Sequence, residues 1–167
     1  GLASSGCSAQ IQSLITLGII KKETPLTEGI KSRKTLYTLE DFMFLFWYRF
    51  VRTNLSGIMR GIGETIYEVS VKPQISHFMG YIFEEICKQY LYLPQIYMTL
   101  PFPTGEFGRW WGNNPKKKRQ EEIDLMAENG SEAIFGECKW RNEPADVDIL
   151  ETLQERSGLF HYQKQSY

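Results

Sequence analysis

The sequence predicts a mixed α/β (α+β) chain in which two β-hairpins are set among amphipathic and buried helices. Three observations lead there. Apolar residues recur at helical spacing over residues 7–17 (Ile11, Leu14, Ile15, Leu17) and over residues 73–91 (Ile75, Phe78, Met79, Ile82, Phe83, Ile86, Tyr90). Asn129-Gly130, the strongest short-range hairpin signal, divides an alternating run from Glu121 to Ala127 from a returning run from Glu132 to Trp140. The 167 residues are 42% hydrophobic and 14% aromatic, enough apolar surface for one ordinary core or two small ones.

The first helix, over residues 7–17, is followed by Gly18, where a helix commonly stops in a left-handed turn. Residues 19–23 and 35–38 then predict a two-stranded hairpin around a Pro/Thr/Gly/Ser/Lys tip at 24–34. A helix followed by a basic-tipped hairpin is the second half of a winged helix, so residues 1–40 predict a partial winged-helix segment, and the chain is expected to be a piece of a longer protein that begins inside that domain. Lys21, Lys22, Arg33 and Lys34 are its candidate contacts to a nucleic-acid backbone.

Asp41 is placed to cap a helix over residues 42–51 that is apolar on nearly every side, as expected of a helix wedged between two units. Residues 52–72, broken by Asn54, Ser56, Gly57, Gly61 and Gly63, predict a linker with a weak helical face at Ile58, Ile62, Ile66 and Val69, so residues 41–72 form a connecting region. Pro73 suits the first turn of the next helix, which opens a domain over residues 73–167. Within that domain, residues 95–100 and 107–111 predict short strands separated by Pro101, Pro103 and Gly105. A basic loop over residues 112–119 carries Lys116, Lys117, Lys118 and Arg119, a second candidate backbone contact that equally suits a solvated loop. Residues 146–157, bearing Val147, Leu150 and Leu153, predict a closing amphipathic helix.

Composition restricts the function. The 19 Lys and Arg nearly balance the 20 Asp and Glu, so any DNA affinity must come from local patches rather than from a whole-molecule field. Cys7, Cys87 and Cys138 are odd in number and widely spaced, which argues against a disulfide framework or zinc ribbon and fits a reducing cytoplasm. No signal peptide is recognisable, and the longest apolar stretch, over residues 42–51 with Arg49 inside it, falls short of the roughly 20 residues a membrane span needs, so no membrane partner is expected. An oligomer is compatible with all of this. His77 and His161 have no partner at metal-ligand spacing, and Trp110 and Trp111 read either as core or as base-stacking rings.

The chemistry-bearing residues follow from the Asn129-Gly130 turn. If those two residues form the loop, Asp124 lies opposite Phe135, Glu137 is its diagonal neighbour on the same face, and Lys139 follows Glu137 by the two-residue period. A four-residue loop from Glu128 to Ser131 leaves that register unchanged, whereas a three-residue loop with a bulge would shift it and could send Asp124 to the other side. Two carboxylates about 4 Å apart repel by roughly 4 kcal/mol at an effective dielectric near 20, which a divalent cation would relieve. Mg²⁺ or Mn²⁺ suits the hard oxygens of Asp124, Glu137 and the Cys138 carbonyl, with Lys139 beside the bound water. Alternating Glu, Asp and Lys is also the pattern of a solvated sheet face. The flanking Phe135 and Trp140 and the interrupting Gly136 weigh toward a site.

The runs Gly80-Tyr81-Ile82-Phe83-Glu84, Gly108-Arg109-Trp110-Trp111, Glu122-Ile123-Asp124-Leu125 and Gly136-Glu137-Cys138-Lys139-Trp140 closely resemble the C-terminal domain of archaeal-type P-loop ATPases. That domain is similar to the PD-(D/E)xK, restriction-endonuclease-like superfamily. The likeness extends over Leu14-Ile15-Thr16-Leu17-Gly18-Ile19-Ile20-Lys21-Lys22-Glu23, Leu39-Glu40-Asp41 and Phe46-Trp47-Tyr48-Arg49-Phe50-Val51, which match the winged-helix end and connecting helix of the same proteins. It implies a restriction-endonuclease-like mixed sheet flanked by helices, with the catalytic positions on Glu84, Asp124, Glu137 and Lys139. The proline that precedes the second acid in the superfamily's name is Ile123 here. No G-x-x-x-x-G-K-[ST] occurs, so ATP would bind upstream, in an ATPase domain that partners this region. The expected function is metal-dependent hydrolysis of DNA phosphodiesters. The competing classes are a non-catalytic DNA-binding or regulatory module of the ATPase and a protein-interaction domain.

Overall fold

The structure, a computed structural model, describes residues 4–28 and 32–160. It divides into two compact units, one of residues 1–23 and 33–76, the other of residues 24–32 and 77–167. Both are built of helices with one small antiparallel sheet, the α+β class the sequence predicts.

In the first unit α1 (Ser4–Thr16) ends where Gly18 takes φ +67°, a value glycine adopts without strain, and its N–H donates to the Ile15 carbonyl at 2.9 Å. β1 (Ile20–Glu23) and β2 (Leu36–Leu39) pair antiparallel with Ile20 against Leu39 and Glu23 against Leu36. Of the tip between them, Gly29, Ile30 and Lys31 lie outside the described residues. The Asp41 carboxylate accepts from the N–H groups of Met43 and Phe44 at 2.7 and 3.0 Å, capping α2 (Phe42–Phe46) as its position suggests. The helix then widens into a π turn (Trp47–Val51) and tightens into a 3-10 turn (Arg52–Asn54).

Residues 52–72, expected to be a linker, are mostly helical. α3 (Leu55–Met59) and α4 (Gly63–Ile66) are joined at Gly61, where φ is +83°, and a second π turn (Tyr67–Val71) leads into α5 (Lys72–Leu91). Of the glycines that read as helix breakers, Gly57 has a packing reason. A Cβ on Gly57 would stand 2.6 Å from the Ile66 Cδ1 and 3.3 Å from Ile62, so its bareness lets α3 and α4 close on one another.

In the second unit, residues 94–97 form a helical turn, α6 (Pro94–Tyr97), where a strand was expected. Pro94 stands in its first turn after an extended Leu93, the placement at which a missing N–H costs nothing. Two tyrosines pin the following loop: the Tyr97 hydroxyl donates to the Thr104 carbonyl at 2.5 Å, and the Tyr92 hydroxyl accepts from the Phe107 N–H at 2.8 Å. The strands β3 (Gly108–Asn114), β4 (Arg119–Glu128) and β5 (Ala133–Gly136) form an antiparallel sheet with β4 in the centre. Asn114 pairs with Arg119 across the basic turn, where the Asn114 Oδ1 accepts from the N–H groups of Lys116 and Lys117, both at 3.0 Å.

A bulge interrupts the pairing of β3 and β4. Gly108 pairs with Met126 but Trp110 with Ile123, so two residues of β4, Asp124 and Leu125, face Arg109. Ile123 and Met126 thereby join Trp110 in one buried cluster, against which Leu26, Phe135, Leu153, Leu159 and Phe160 pack. α7 (Val147–Ser157), capped by Asp146, covers this side of β4 and β5.

Gly112 follows Trp110 by two residues on β3, and a Cβ there would stand 2.7 and 2.9 Å from two atoms of the indole. Gly112→Ala is therefore expected to push a core ring off its place and cost about 1–3 kcal/mol of stability. Urea unfolding followed by tryptophan fluorescence measures this; an unchanged midpoint would contradict the packing.

Candidate active site

The loop that positions the acidic residues differs from the two-residue turn expected. It comprises Asn129, Gly130, Ser131 and Glu132, with the Asn129 N–H donating to the Glu132 carbonyl at 3.1 Å. The Asn129 Oδ1 accepts from the N–H groups of Ser131 and Glu132 at 2.9 and 2.8 Å, an Asx turn that bare pattern reading does not distinguish from a type I′ turn. The register slips by two as a result. Glu128 pairs with Ala133 and Leu125 with Gly136, so Met126, not Asp124, stands opposite Phe135, and the next step beyond the last pair sets Asp124 level with Glu137. β5 stops at Gly136, short of the expected Trp140, so Glu137, Cys138 and Lys139 come from the segment just past the strand.

Asp124, at the bulge, is buried, and its Oδ2 accepts from the Cys138 N–H at 2.9 Å. Burial raises its pKa; the Cys138 N–H works the other way, and the charge of Glu137 adds to the rise. Burial likewise pushes the Cys138 thiol well above its usual range, aided by Cys87, Asp124 and Glu84. The carboxylate and the thiol are thus both disfavoured as anions in the absence of added positive charge.

Glu137 is held differently. Its side chain is 6% exposed, and its Oε1 takes the Lys139 ammonium at 2.5 Å. The Arg156 Nη1, from the last turn of α7, stands 3.0 Å from each of its oxygens. Arg156 also reaches Glu121 on β4 through Nε at 3.2 Å, and Arg119 takes the other Glu121 oxygen at 2.7 Å. The hydrogen bond from Arg119 lowers the Glu121 pKa against the cost of burial. For Lys139, burial works against the charge, but the hydrogen bond to Glu137 and the fields of Glu137 and Asp124 outweigh it and raise its pKa. Lys139 is therefore an ammonium at neutral pH, in the field of both acids.

The helical acid, Glu84 on α5, lies 3.7 Å from the Nε of Arg109, whose Nη2 meets Glu122 at 3.1 Å. Glu84 adds to the field at Cys138 but is tied to an arginine. Reading the sequence for acids and lysines missed Arg109 and Arg156. The second had a signal: residues 149, 153 and 156 share one stripe of α7, the half-buried one, so Arg156 is aimed at the sheet like Leu153.

Asp124 and Glu137 supply hard oxygens of the kind a divalent cation takes, and the raised pKa of Asp124 is the kind of cost a cation relieves; the Cys138 main chain meets Asp124 through its N–H. Among the described residues no three His, Cys, Asp or Glu side chains stand grouped for an ion, so water would complete the shell. In donor chemistry the residues fit Mg²⁺ or Mn²⁺, with the qualification that Arg156 and Lys139 already hold Glu137.

The basic candidates fall in both units. In the first, Lys22, Arg33 and Lys34 are exposed, and Lys21 lies 3.8 Å from Glu23. In the second, Lys116 and Lys118 are exposed at the β3–β4 turn without an ion-pair partner among the described residues, whereas Lys117 pairs with Glu155 at 2.7 Å and Arg119 with Glu121. An open hollow of about 510 Å³ beside that turn is lined by Arg119, Gln120, Glu121, Glu122 and Arg156. Trp110 and Trp111 are buried, His77 is exposed, and His161 lies outside the described residues.

A family model described as archaeal and bacterial proteins of unknown function (DUF234) matches residues 47–155. The chain is 33% identical, over 171 aligned positions and 98% of its length, to an uncharacterized protein of Methanocaldococcus jannaschii. It spans 37% of that protein's length. No solved structure matches.

Because its folded pKa is lowered, Glu121 contributes stability above the ordinary value of 4.5, and that contribution is lost as pH falls below 4.5 through the folded value. Glu121→Gln is expected to lower stability at pH 7 and to flatten this part of the acid limb. Melting temperatures between pH 3 and 7 measure it; parallel curves for the two proteins would refute the assignment.

Proposed function

Since the chain belongs to the DUF234 family of archaeal and bacterial proteins, whose function is unknown, we propose that its second unit is a nuclease-like domain that hydrolyses DNA phosphodiesters with Mg²⁺ or Mn²⁺. The observation that carries this reading is the position of Lys139, an ammonium bonded to Glu137 and raised in pKa by Asp124 as well. An acid pair with a fixed positive charge beside it suits phosphoryl transfer to water. The bound ion would supply a Lewis acid and a more acidic water. Asp124 and Glu137 would be its ligands, with the Cys138 carbonyl as a third oxygen and Glu84 reaching the site through water. Lys139, already protonated, would act as a charge stabiliser for the developing oxyanion rather than as a base.

Lys116 and Lys118, with Lys21, Lys22, Arg33 and Lys34 on the winged-helix segment, would meet the DNA backbone. Most of the archaeal relative lies outside the match, which leaves room for the P-loop ATPase domain that the sequence resemblance implies, and ATP would bind there. A cytoplasmic protein is the setting this reading assumes; no described helix is long and apolar enough to cross a membrane.

A second reading, a non-catalytic DNA-binding or regulatory module, is favoured by one observation: Glu137 is already neutralised by Arg156 and Lys139. Incubation with plasmid or single-stranded DNA and Mg²⁺ or Mn²⁺ separates the two. For a nuclease, Glu137→Ala and Lys139→Ala should each lose about 10²-fold or more in cleavage rate. Cleavage indifferent to both substitutions would rule out this site. Binding without cleavage, falling steeply with salt and weakened by Lys22→Ala or Lys118→Ala, would select the module.

A further inference from the structure

We infer that Arg156 is a positioning residue of this site, whose guanidinium holds the Glu137 carboxylate in place of a divalent cation and must leave it when the ion binds. The inference rests on the reading of Asp124 and Glu137 as oxygen ligands. Its basis is the occupancy of Glu137. Both carboxylate oxygens are 3.0 Å from one Arg156 nitrogen, and one of them also takes Lys139. Oε1 is thus met twice and Oε2 once, so an ion approaching Glu137 competes with both resident cations. With the side chain 6% exposed, water does not compete for these oxygens on equal terms.

A divalent ion added beside two resident cations would meet like charge on two sides, so one of them has to move. Lys139 stays at the site in the reading on which this inference rests, its ammonium meeting the Glu137 Oε1 at 2.5 Å, so Arg156 is the group assigned to move. Arg156 has a second anchor: its Nε stays on Glu121, whose other oxygen is fixed by Arg119. It also has somewhere to go, because Arg156 and Glu121 line the open hollow of about 510 Å³. Glu121 thus acts as a post from which the guanidinium swings between Glu137 and that hollow. A phosphate arriving with the ion would find the displaced guanidinium beside it, an anion partner of the planar, bidentate kind.

The test is Mn²⁺ binding, read from loss of the free-ion paramagnetic resonance signal with no substrate present. Arg156→Gln should bind Mn²⁺ at least tenfold more tightly than the parent, and Arg156→Lys should fall between them. Glu137→Gln should abolish binding in the parent and in the Arg156→Gln background alike. If Arg156→Gln binds no tighter than the parent while binding still depends on Glu137, the inference about Arg156 is wrong and the metal reading stands. Should no protein show Glu137-dependent binding, the metal reading itself fails and this inference goes with it. Should Arg156→Gln not fold, Arg156→Lys decides: added Mn²⁺ should raise its melting temperature more than the parent's, and an equal or smaller rise overturns the proposal.

Discussion

Two carboxylates sit inside a strand whose other buried residues are Ile123, Leu125, Met126 and Ala127, and the second unit has to compensate for them. Buried Asp and Glu are tolerated when cations or N–H groups meet them. Glu121 is met by Arg119 and Arg156, and Asp124 by the Cys138 amide. These contacts tie the strand to the last turn of α7 and to the segment after β5, so the chain is folded partly around its own charges. The hold of one Arg156 nitrogen on both Glu137 oxygens extends the same string, giving an alternating row of positive and negative groups from Arg119 to Lys139.

That row bears on the two functional readings in opposite ways. As stabilising structure it completes the packing of a buried strand and needs no ligand. As a prearranged site it places an ammonium and two acids together, where β5 ends beside the middle of β4. The difference lies in whether the Arg156 guanidinium can leave Glu137, a question of relative affinity rather than of fold.

Much of this was legible in the sequence, for local reasons. The Asp41 cap, the Gly18 stop, the hairpin at residues 20–39, the long helix α5 and the closing helix α7 all rest on nearest-neighbour chemistry, and they appear where that chemistry puts them. The failures have equally local causes. Gly57 reads as a break because a bare sequence cannot show that a missing Cβ admits Ile66, whereas Gly61, at φ +83°, does stand at the break after α3. Residues 95–100 read as strand because apolar alternation over so few positions does not separate a strand from one helical turn led by proline, α6. The Asn129 side chain, by turning back on Ser131 and Glu132, lengthened the loop and moved the register by two, a choice that composition leaves open. Arg109 and Arg156 were missed because an arginine's role depends on what lies across space from it.

The bulge at Asp124 works as a phase inverter. On a regular strand Ile123 and Met126 would belong to opposite sides, one of them turned away from Trp110. The extra residue exchanges even for odd, so every side chain beyond it along β4 changes allegiance, and Phe135 inherits the change through its pairing with Met126. A deletion of one residue at this point would do more than shorten the strand: it would hand the whole C-terminal half of β4 to the wrong neighbours, which makes the position immediately beside the acidic set among the least tolerant of length change in the chain.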